Sequence, residues 1–150
     1  MFEVNETVIN LILSVKCKAS IKTKVLRIII EDSLNHSYTK FPVILRWTRN
    51  FMDIIVDFED ENCISLLSRI YSRIRASEKK EINMIYNEIE WLTTKCWNEG
   101  VSLIMSGKSE GGSAWCKQAI KFSPFVNERL ESQLLELWPE LTKAADCSNN

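Results

Sequence analysis

The sequence predicts an all-α protein made of antiparallel helix pairs, and three observations support that class. Apolar residues, many of them Leu and Ile, recur at spacings of three and four along most of the chain. The 150 residues include only three prolines and four glycines, fewer than strands joined by tight turns would require. Short polar segments separate the periodic stretches, and short links favour antiparallel packing of consecutive helices.

The first two helices are predicted at residues 4–16 and 20–35. In the first stretch Val4, Val8, Leu11, Ile12 and Val15 fall on one face of a helix. The second stretch carries Ile21, Val25, Ile28, Ile29 and the run to Leu34. The run RIII at 27–30 is locally strand-like, so a short strand is the alternative to helix at that point.

Two further helices are predicted at 42–57 and 60–76, after the polar break NHSYTKFP. Pro42 suits the first position of the third helix, because its missing N–H costs little there. The acidic link FEDEN follows, with Glu59 or Asp60 placed to stabilise the N-terminus of the fourth helix. These two helices form one candidate pair.

A long helix is predicted at 82–106, and a sixth helix at 111–122. The segment SGKSEGG between them holds three of the four glycines and predicts a turn. The Ser-Pro dipeptide at 123–124 ends the sixth helix, because proline disfavours helix in the residue before it. Asn127 or the serine of that dipeptide caps a seventh helix, which Trp-Pro at 138–139 is expected to close.

The whole chain, 1–150, is interpreted as one domain, in keeping with its length. Residues 1–40 supply N-terminal helices, 41–124 two helix pairs, 125–145 a C-terminal capping helix and 146–150 a frayed tail. A single pair leaves an apolar face exposed, so neighbouring pairs are expected to stack.

The charges are nearly balanced, with a net charge of −1, so no overall field draws the chain to nucleic acid or to a membrane. The longest apolar run, VINLILSV at 8–15, is too short to span a bilayer. The local exception is a basic cluster formed by Lys16, Lys18, Lys22, Lys24 and Arg27. Direct DNA contact through this cluster is an alternative function, set against an ordinary solvated helix face.

The five cysteines are widely spaced and odd in number, which favours a reducing compartment over a disulfide framework. There is no CxxC motif, and His36 is the only histidine, so no metal site is expected. The same shortage leaves no cysteine–histidine constellation for nucleophilic catalysis. We therefore expect no enzymatic activity, no small-molecule substrate and no cofactor.

A tetratricopeptide skeleton, W-x2-L-G-x2-Y…A-x3-F…A…P, fits the chain when its glycine is placed at Gly100. Small residues then fall where the two helices of a repeat approach closely, and a proline ends the second helix. The matching positions are Gly112, Cys116, Ala119 and Pro124, whereas Cys96 and Glu99 replace the usual tryptophan and leucine. This fit predicts a tetratricopeptide-like, right-handed α-solenoid.

The helix at 82–106 has two apolar rows, although a surface helix needs only one. The row of Cys96, Gly100 and Leu103 is assigned to the interior of the repeat. The second row is predicted to line a groove that binds a partner, and it comprises Thr94, Trp97, Asn98, Val101, Ile104 and Met105. Trp97 is the candidate anchor, because aromatic residues dominate interface energies, and Asn98 can both donate and accept hydrogen bonds. The alternative is that other helices of the same chain cover this row.

Three stretches between residues 41 and 141 carry a family resemblance: RWTRNFMDIIVD, EIEWLTTKCWNEGVSLIMSGKSEGGSAWCKQAIKF and ERLESQLLELWPEL. The most specific element is EIEWLTTKCWNEGVSL, in which an acidic-aliphatic-acidic-Trp-Leu run leads into an aromatic-Asn pair. In these stretches the chain resembles the meiosis-specific tetratricopeptide scaffolds of the crossover and synapsis-initiation group. That group contains sporulation and zipper proteins of fungi and testis-expressed relatives in animals. Residues 1–40 carry no motif of the family.

The resemblance implies a non-catalytic, all-helical scaffold that acts in the nucleus on meiotic chromosomes. Such a scaffold would join synaptonemal complex central-region proteins to a crossover-promoting complex that includes an XPF-like heterodimer without nuclease activity. Family members are much longer, so this chain is expected to be a C-terminal segment whose Met1 was added as a start residue. An interaction or packing role carries over to Trp91, Trp97 and Asn98. A generic helical adaptor unrelated to meiosis is the alternative.

Overall fold

The computed structural model describes residues 6–36 and 39–148. Within these ranges the chain forms eight α-helices and one short 3-10 helix, without any strand. The predicted all-α class is confirmed, while the right-handed solenoid arrangement stays a prediction. The helices belong to two compact units, Met1–Asp57 and Phe58–Asn150, which are described separately. The boundary falls between the two helices of the first candidate pair.

Unit 1 contains α1 (Glu6–Ser14), α2 (Ala19–Asn35) and α3 (Phe41–Ile54). The RIII run lies inside α2, so the helix predicted there is confirmed and the strand alternative is wrong. α2 packs against α3 and buries Leu26 and Ile30. The larger part of the core comes from α3, through Ile44, Leu45, Trp47, Phe51 and Met52. The predicted helix start at residue 4 and part of NHSYTKFP lie outside the described residues.

Unit 2 contains five helices and the 3-10 helix Ser123–Phe125. The helices are α4 (Glu61–Arg75), α5 (Lys79–Met84), α6 (Tyr86–Met105), α7 (Ser109–Phe122) and α8 (Glu128–Ser148). The predicted cap Asn127 is confirmed, because it accepts a hydrogen bond from the Leu130 N–H at 2.8 Å. Asp60, predicted to stabilise the start of the fourth helix, does so as a cap and accepts a hydrogen bond from the Asn62 N–H at 2.9 Å. Each cap satisfies a backbone donor that has no partner within its helix.

The most extensive contact between helices joins α6 to α7, and glycine makes it possible. A Cβ added at Gly100 would lie 2.7 Å from the carbonyl oxygen of Gly112 and 2.8 Å from the nitrogen of Cys116. Real side chains do not approach backbone this closely, so the two helices meet through their main chains. The small residues that the repeat skeleton predicted at positions 100 and 112 are therefore where two helices touch.

The turn predicted at SGKSEGG is confirmed by the way α6 ends. Gly107 has a φ of 84°, a region that favours glycine. Its N–H donates to the Ile104 carbonyl at 3.0 Å, and the Lys108 N–H donates to the Leu103 carbonyl at 2.9 Å. This pair of hydrogen bonds is a Schellman motif. It stops α6 and allows α7 to run back along it.

α4 packs on the other side of α7 and completes the core of unit 2. Trp115 is fully buried, and its Nε1 donates to the Phe58 carbonyl oxygen at 2.6 Å. Gln118 is buried beside it and donates from Nε2 to the Ser68 hydroxyl at 2.9 Å. The apolar side chains that α4 contributes are Cys63, Leu66, Leu67, Ile70 and Ile74. α7 is thus the central helix of the unit.

The prediction of one continuous helix at 82–106 is wrong in one respect, because the helix is interrupted at Ile85. Ile85 has φ −109° and ψ 10° and is buried, and it separates α5 from α6. An ion pair of 2.7 Å between Arg73 of α4 and Glu81 of α5 holds the short helix beside α4. Because the helix is interrupted at Ile85, α5 remains beside α4 while α6 packs along α7.

The expected closure of the last helix at residues 138–139 is also wrong, because α8 continues through Pro139 to Ser148. Proline inside a helix removes one backbone hydrogen bond and normally disrupts it. Here Leu134 lies before the proline and Ala145 after it, and both are buried on one face. Burial of that face compensates for the lost bond. Residues 146–148 of the expected frayed tail are accordingly helical, and the rest of the tail lies outside the described residues.

Candidate protein-binding site

One side of α6 packs against α7 and is buried by that contact. Cys96 and Gly100 are both buried there, as the row assignment predicted. Leu103, expected in the same row, is only half-buried. Ile104 takes the inner place instead: it is 1% exposed, and its Cγ1 lies 2.6 Å from where a Cβ on Gly112 would be. α6 therefore turns its Ile104 side, not its Leu103 side, toward α7.

This rotation corrects one member of the predicted partner-binding row, because Ile104 is not accessible to a partner. The other members divide by exposure. Thr94, Asn98 and Met105 are exposed, with Met105 at 73%, whereas Trp97 and Val101 are half-buried. We call these five residues the α6 surface. Trp91, one turn earlier on α6, is half-buried as well.

The half-buried members of the α6 surface pack against α8. A small apolar cluster forms around Ile104, Cys116 and Ala145, and Trp97 and Val101 pack on it beside Trp138 and Leu141. The alternative that the C-terminal helix of the same chain covers the second row is therefore correct for Trp97 and Val101. α8 thus covers Trp97 and Val101 and leaves Thr94, Asn98 and Met105, which form the outer edge of the α6 surface, in contact with solvent.

Polar groups at that outer edge differ in what they offer to a partner. The Thr94 hydroxyl donates to the Glu90 carbonyl of its own helix at 3.0 Å. The Asn98 carboxamide has no hydrogen-bond partner in the ranges that the structure describes. An amide on a helix surface presents two donors and an acceptor at once, which suits an incoming main chain. Asn98 is therefore the polar group of this surface with the greatest capacity for new contacts.

Sequence reasoning missed Trp138 and Leu141, which form the neighbouring wall of the α6 surface. The signal was present, because Leu134, Trp138, Leu141 and Ala145 recur at spacings of four, three and four. This periodicity was not used, because Pro139 was interpreted as the end of the helix. The apolar period continues through the proline, and the helix follows the period.

Two cysteines lie under the α6 surface, at the contact between α6 and α7. Burial raises the pKa of the Cys116 thiol to about 12, from an ordinary value near 9. Burial raises the pKa of the Cys96 thiol further, and the neighbouring Cys116 and Glu99 add to the increase. Both groups are therefore neutral in the folded protein near pH 7, and they behave as small core residues.

This burial predicts a loss of stability at high pH. The unfolded chain loses thiol protons above about pH 9, whereas the folded chain keeps them, so rising pH favours the unfolded state. Under reducing conditions, we expect the free energy of unfolding to fall more steeply from pH 9 to pH 12 in the wild type than in a Cys96→Ala, Cys116→Ala variant. Urea titrations at several pH values measure the difference, and parallel pH profiles would contradict the explanation.

The basic cluster lies in unit 1, and the structure divides its members. Lys22 donates from Nζ to the Leu13 carbonyl at 2.7 Å, and Arg27 pairs with Glu31 at 3.2 Å. The three other members, Lys16, Lys18 and Lys24, are exposed. Two of the five cations thus already make contacts within unit 1.

The described residues offer neither a metal site nor a membrane-spanning helix. No group of three or more His, Cys, Asp or Glu side chains in ranges 6–36 and 39–148 is arranged to hold a metal ion. In the same ranges, no helix combines the length and the apolar character needed to cross a membrane.

Comparison with known proteins finds one curated relative of clear similarity. The chain is 29% identical over 107 residues to Sporulation-specific protein 22 of Saccharomyces cerevisiae, an alignment that covers 69% of this chain. The chain spans only 11% of that protein's length. No protein-family model and no solved structure matches the chain. The similarity supports a sporulation-related family for this all-helical chain, in line with the resemblance carried by its central motif.

Proposed function

We propose that this chain is a non-catalytic protein-interaction module whose α6 surface binds a segment of a partner protein. The observation that carries the proposal is the pairing of Trp97, which packs against α8, with the exposed carboxamide of Asn98, which has no hydrogen-bond partner among the residues that the structure describes. A tryptophan whose rotamer is already restricted loses little entropy on binding. Exposed Met105 adds an adaptable apolar contact at the end of the same surface.

The finer proposal is a role in meiosis, and two lines support it. One is the similarity to Sporulation-specific protein 22, and the other is the family resemblance centred on EIEWLTTKCWNEGVSL. In this role the chain is part of a tetratricopeptide-like scaffold on meiotic chromosomes in the nucleus. Its partners are proteins of the synaptonemal complex central region and an XPF-like heterodimer without nuclease activity.

The proposal is tested by co-expressing the chain with each of these two classes of partner and measuring co-purification. We expect Asn98→Ala and Met105→Ser each to reduce recovery of the partner that uses the α6 surface by about fivefold, the effect of losing one contact of about 1 kcal/mol. Asn87→Ala is the matched control, because Asn87 is exposed on α6 about 16 Å from Asn98, at 1.5 Å per residue.

Four results would count against the proposal. Undiminished recovery with Asn98→Ala and Met105→Ser would mean that the partner binds elsewhere. Equal loss with Asn87→Ala would indicate a general effect on the helix. Binding only to proteins outside meiosis would favour the generic adaptor. Salt-dependent binding to duplex DNA that is lost in Lys18→Glu would favour the basic cluster as the functional site.

A further inference from the structure

Unit 1 has an apolar surface of its own, separate from the α6 surface of unit 2. α1 buries Ile9 but leaves Leu11 65% exposed and the adjoining Val15 49% exposed. α2 buries Leu26 and Ile30 but leaves three other apolar residues exposed: Ile21 at 52%, Val25 at 38% and Ile28 at 50%. Several exposed apolar side chains on two consecutive helices are more than the scattered ones expected on any protein surface.

These exposed residues form stripes, as helix geometry shows. Ile21, Val25 and Ile28 are separated by four and three residues, so they lie along one side of α2. Leu11 and Val15 are four residues apart and lie along one side at the end of α1. Leu11 on α1 and the pair Ile21 and Ile28 on α2 lie roughly opposite the buried residues of their helices, while Val15 and Val25 lie nearer the edge of the buried side. Both stripes adjoin the linker 15–18, and together we call them the α1–α2 surface.

Exposed lysines border the α1–α2 surface at the linker end. Lys16 and Lys18 lie in the linker, and Lys24 lies on α2. The first turn of α2 has no acidic residue, and its N-cap Lys18 makes no side-chain capping bond. A cation at a helix N-terminus opposes the helix dipole, so the charge of Lys18 does not stabilise α2. Lys24 lies in the second turn and adds a further exposed positive charge beside the apolar stripe of α2.

The charged residues around the α1–α2 surface indicate which kind of partner it binds. A second copy of the chain, packed face to face, would bring these lysines together with those of its partner, and like charges oppose that contact. Duplex DNA would meet isoleucine and valine between the lysines, which offer nothing to phosphate. Asp32, four residues after Ile28, has a side chain 68% exposed and ends the apolar stripe with a negative charge. An extended anionic lipid surface would meet that carboxylate unfavourably, whereas a helix avoids this repulsion when its carboxylates lie at the Lys18 and Lys24 end of the stripe.

We propose that the α1–α2 surface binds an acidic amphipathic helix of a partner protein. The apolar face of that helix covers Ile21, Val25 and Ile28, and its carboxylates meet Lys18 and Lys24. Helix-in-groove recognition uses the same three-and-four spacing of anchors. This site lies in unit 1 and is separate from the α6 surface, so failure of one proposal leaves the other standing.

The test uses the whole chain and a fluorescent synthetic helix with leucine on one face and glutamate along both edges. In fluorescence anisotropy we expect saturable binding that weakens by about tenfold in a Lys18→Glu, Lys24→Glu variant. The same variant should bind a peptide that carries lysine in place of glutamate, which the wild type should not bind. Ile21→Ser with Ile28→Ser should also weaken binding of the acidic peptide.

The controls separate docking from unfolding and from general stickiness. Leu135→Ser changes an apolar residue of α8 that is 49% exposed, and it should leave binding unchanged. All substituted positions are accessible, so circular dichroism spectra should match the wild type. Unchanged binding in the charge-reversal variant would overturn the proposal. So would tighter binding to phosphatidylserine vesicles or duplex DNA than to the peptide, or dimerisation that Ile21→Ser with Ile28→Ser abolishes.

Discussion

Trp115→Ala is expected to lower the free energy of unfolding of unit 2 by about 4 kcal/mol, the usual cost of truncating a large buried aromatic residue. Trp115 is fully buried between α4 and α7. Its ring meets Phe58 edge to face, with centroids 5.5 Å apart. Removal leaves a cavity in the central helix of the unit and takes away the hydrogen bond to the Phe58 carbonyl.

One variant divides this effect into packing and hydrogen bonding, and a second serves as a control. Trp115→Phe keeps much of the ring and removes the Nε1–H donor, so a loss of about 2 kcal/mol is expected. Lys117→Ala, at an exposed position of α7, should change stability by less than about 0.5 kcal/mol. Urea denaturation followed by circular dichroism measures all three. Equal stability of the alanine and wild-type proteins would contradict the core described for unit 2.

Gly112→Ala is expected to destabilise unit 2 by about 2 kcal/mol, although alanine is the better helix former. A Cβ at Gly112 would lie 2.6 Å from the Gly100 carbonyl oxygen and 2.8 Å from the Ile104 nitrogen. Both atoms belong to the backbone of α6 and cannot rotate away. The two helices must therefore separate, which loosens the cluster on which Trp97 packs.

The neighbouring glycine provides a matched control for this prediction. A Cβ at Gly111 would lie 3.2 Å from Cγ of Glu59, a flexible side chain that is able to move. Gly111→Ala should be neutral or should stabilise by up to about 1 kcal/mol, since it adds helix propensity without meeting backbone. The same substitution, one residue apart in one helix, is thus expected to have opposite signs. Equal effects at the two positions would mean that α6 and α7 are not in main-chain contact.

Local chemistry made much of unit 2 predictable from the sequence. The caps at Asp60 and Asn127 and the turn at Gly107 depend on residues that favour those conformations wherever they occur. Small residues at Gly100 and Gly112 fit a repeat skeleton, and this indicated the contact between α6 and α7 correctly. Each of these features is encoded within a few residues.

The features that were not predicted depend on packing between distant residues. The interruption at Ile85 accompanies an ion pair between Arg73 and Glu81, which come from different helices. Continuation of α8 through Pro139 depends on burial against helices far away in sequence. The rotation that buries Ile104 rather than Leu103 is a difference of about 100° about the helix axis, and apolar periodicity cannot resolve it when both positions are apolar.

The rotation of α6 and the continuation of α8 determine which residues the candidate site contains. Periodicity alone placed Trp97, Asn98 and Ile104 in one row. The structure removes Ile104, supports Trp97 on the α8 side and leaves Asn98 accessible. A row of six candidates thereby becomes a surface with one supported aromatic residue and one available amide.

The most direct measurement is the dissociation constant of the purified chain for a synaptonemal complex central-region protein, determined by isothermal titration calorimetry. The wild type and Asn87→Ala should bind alike, while Asn98→Ala should bind about fivefold more weakly with an unchanged melting temperature. Equal affinity of Asn98→Ala and the wild type would contradict a protein-binding role for the α6 surface.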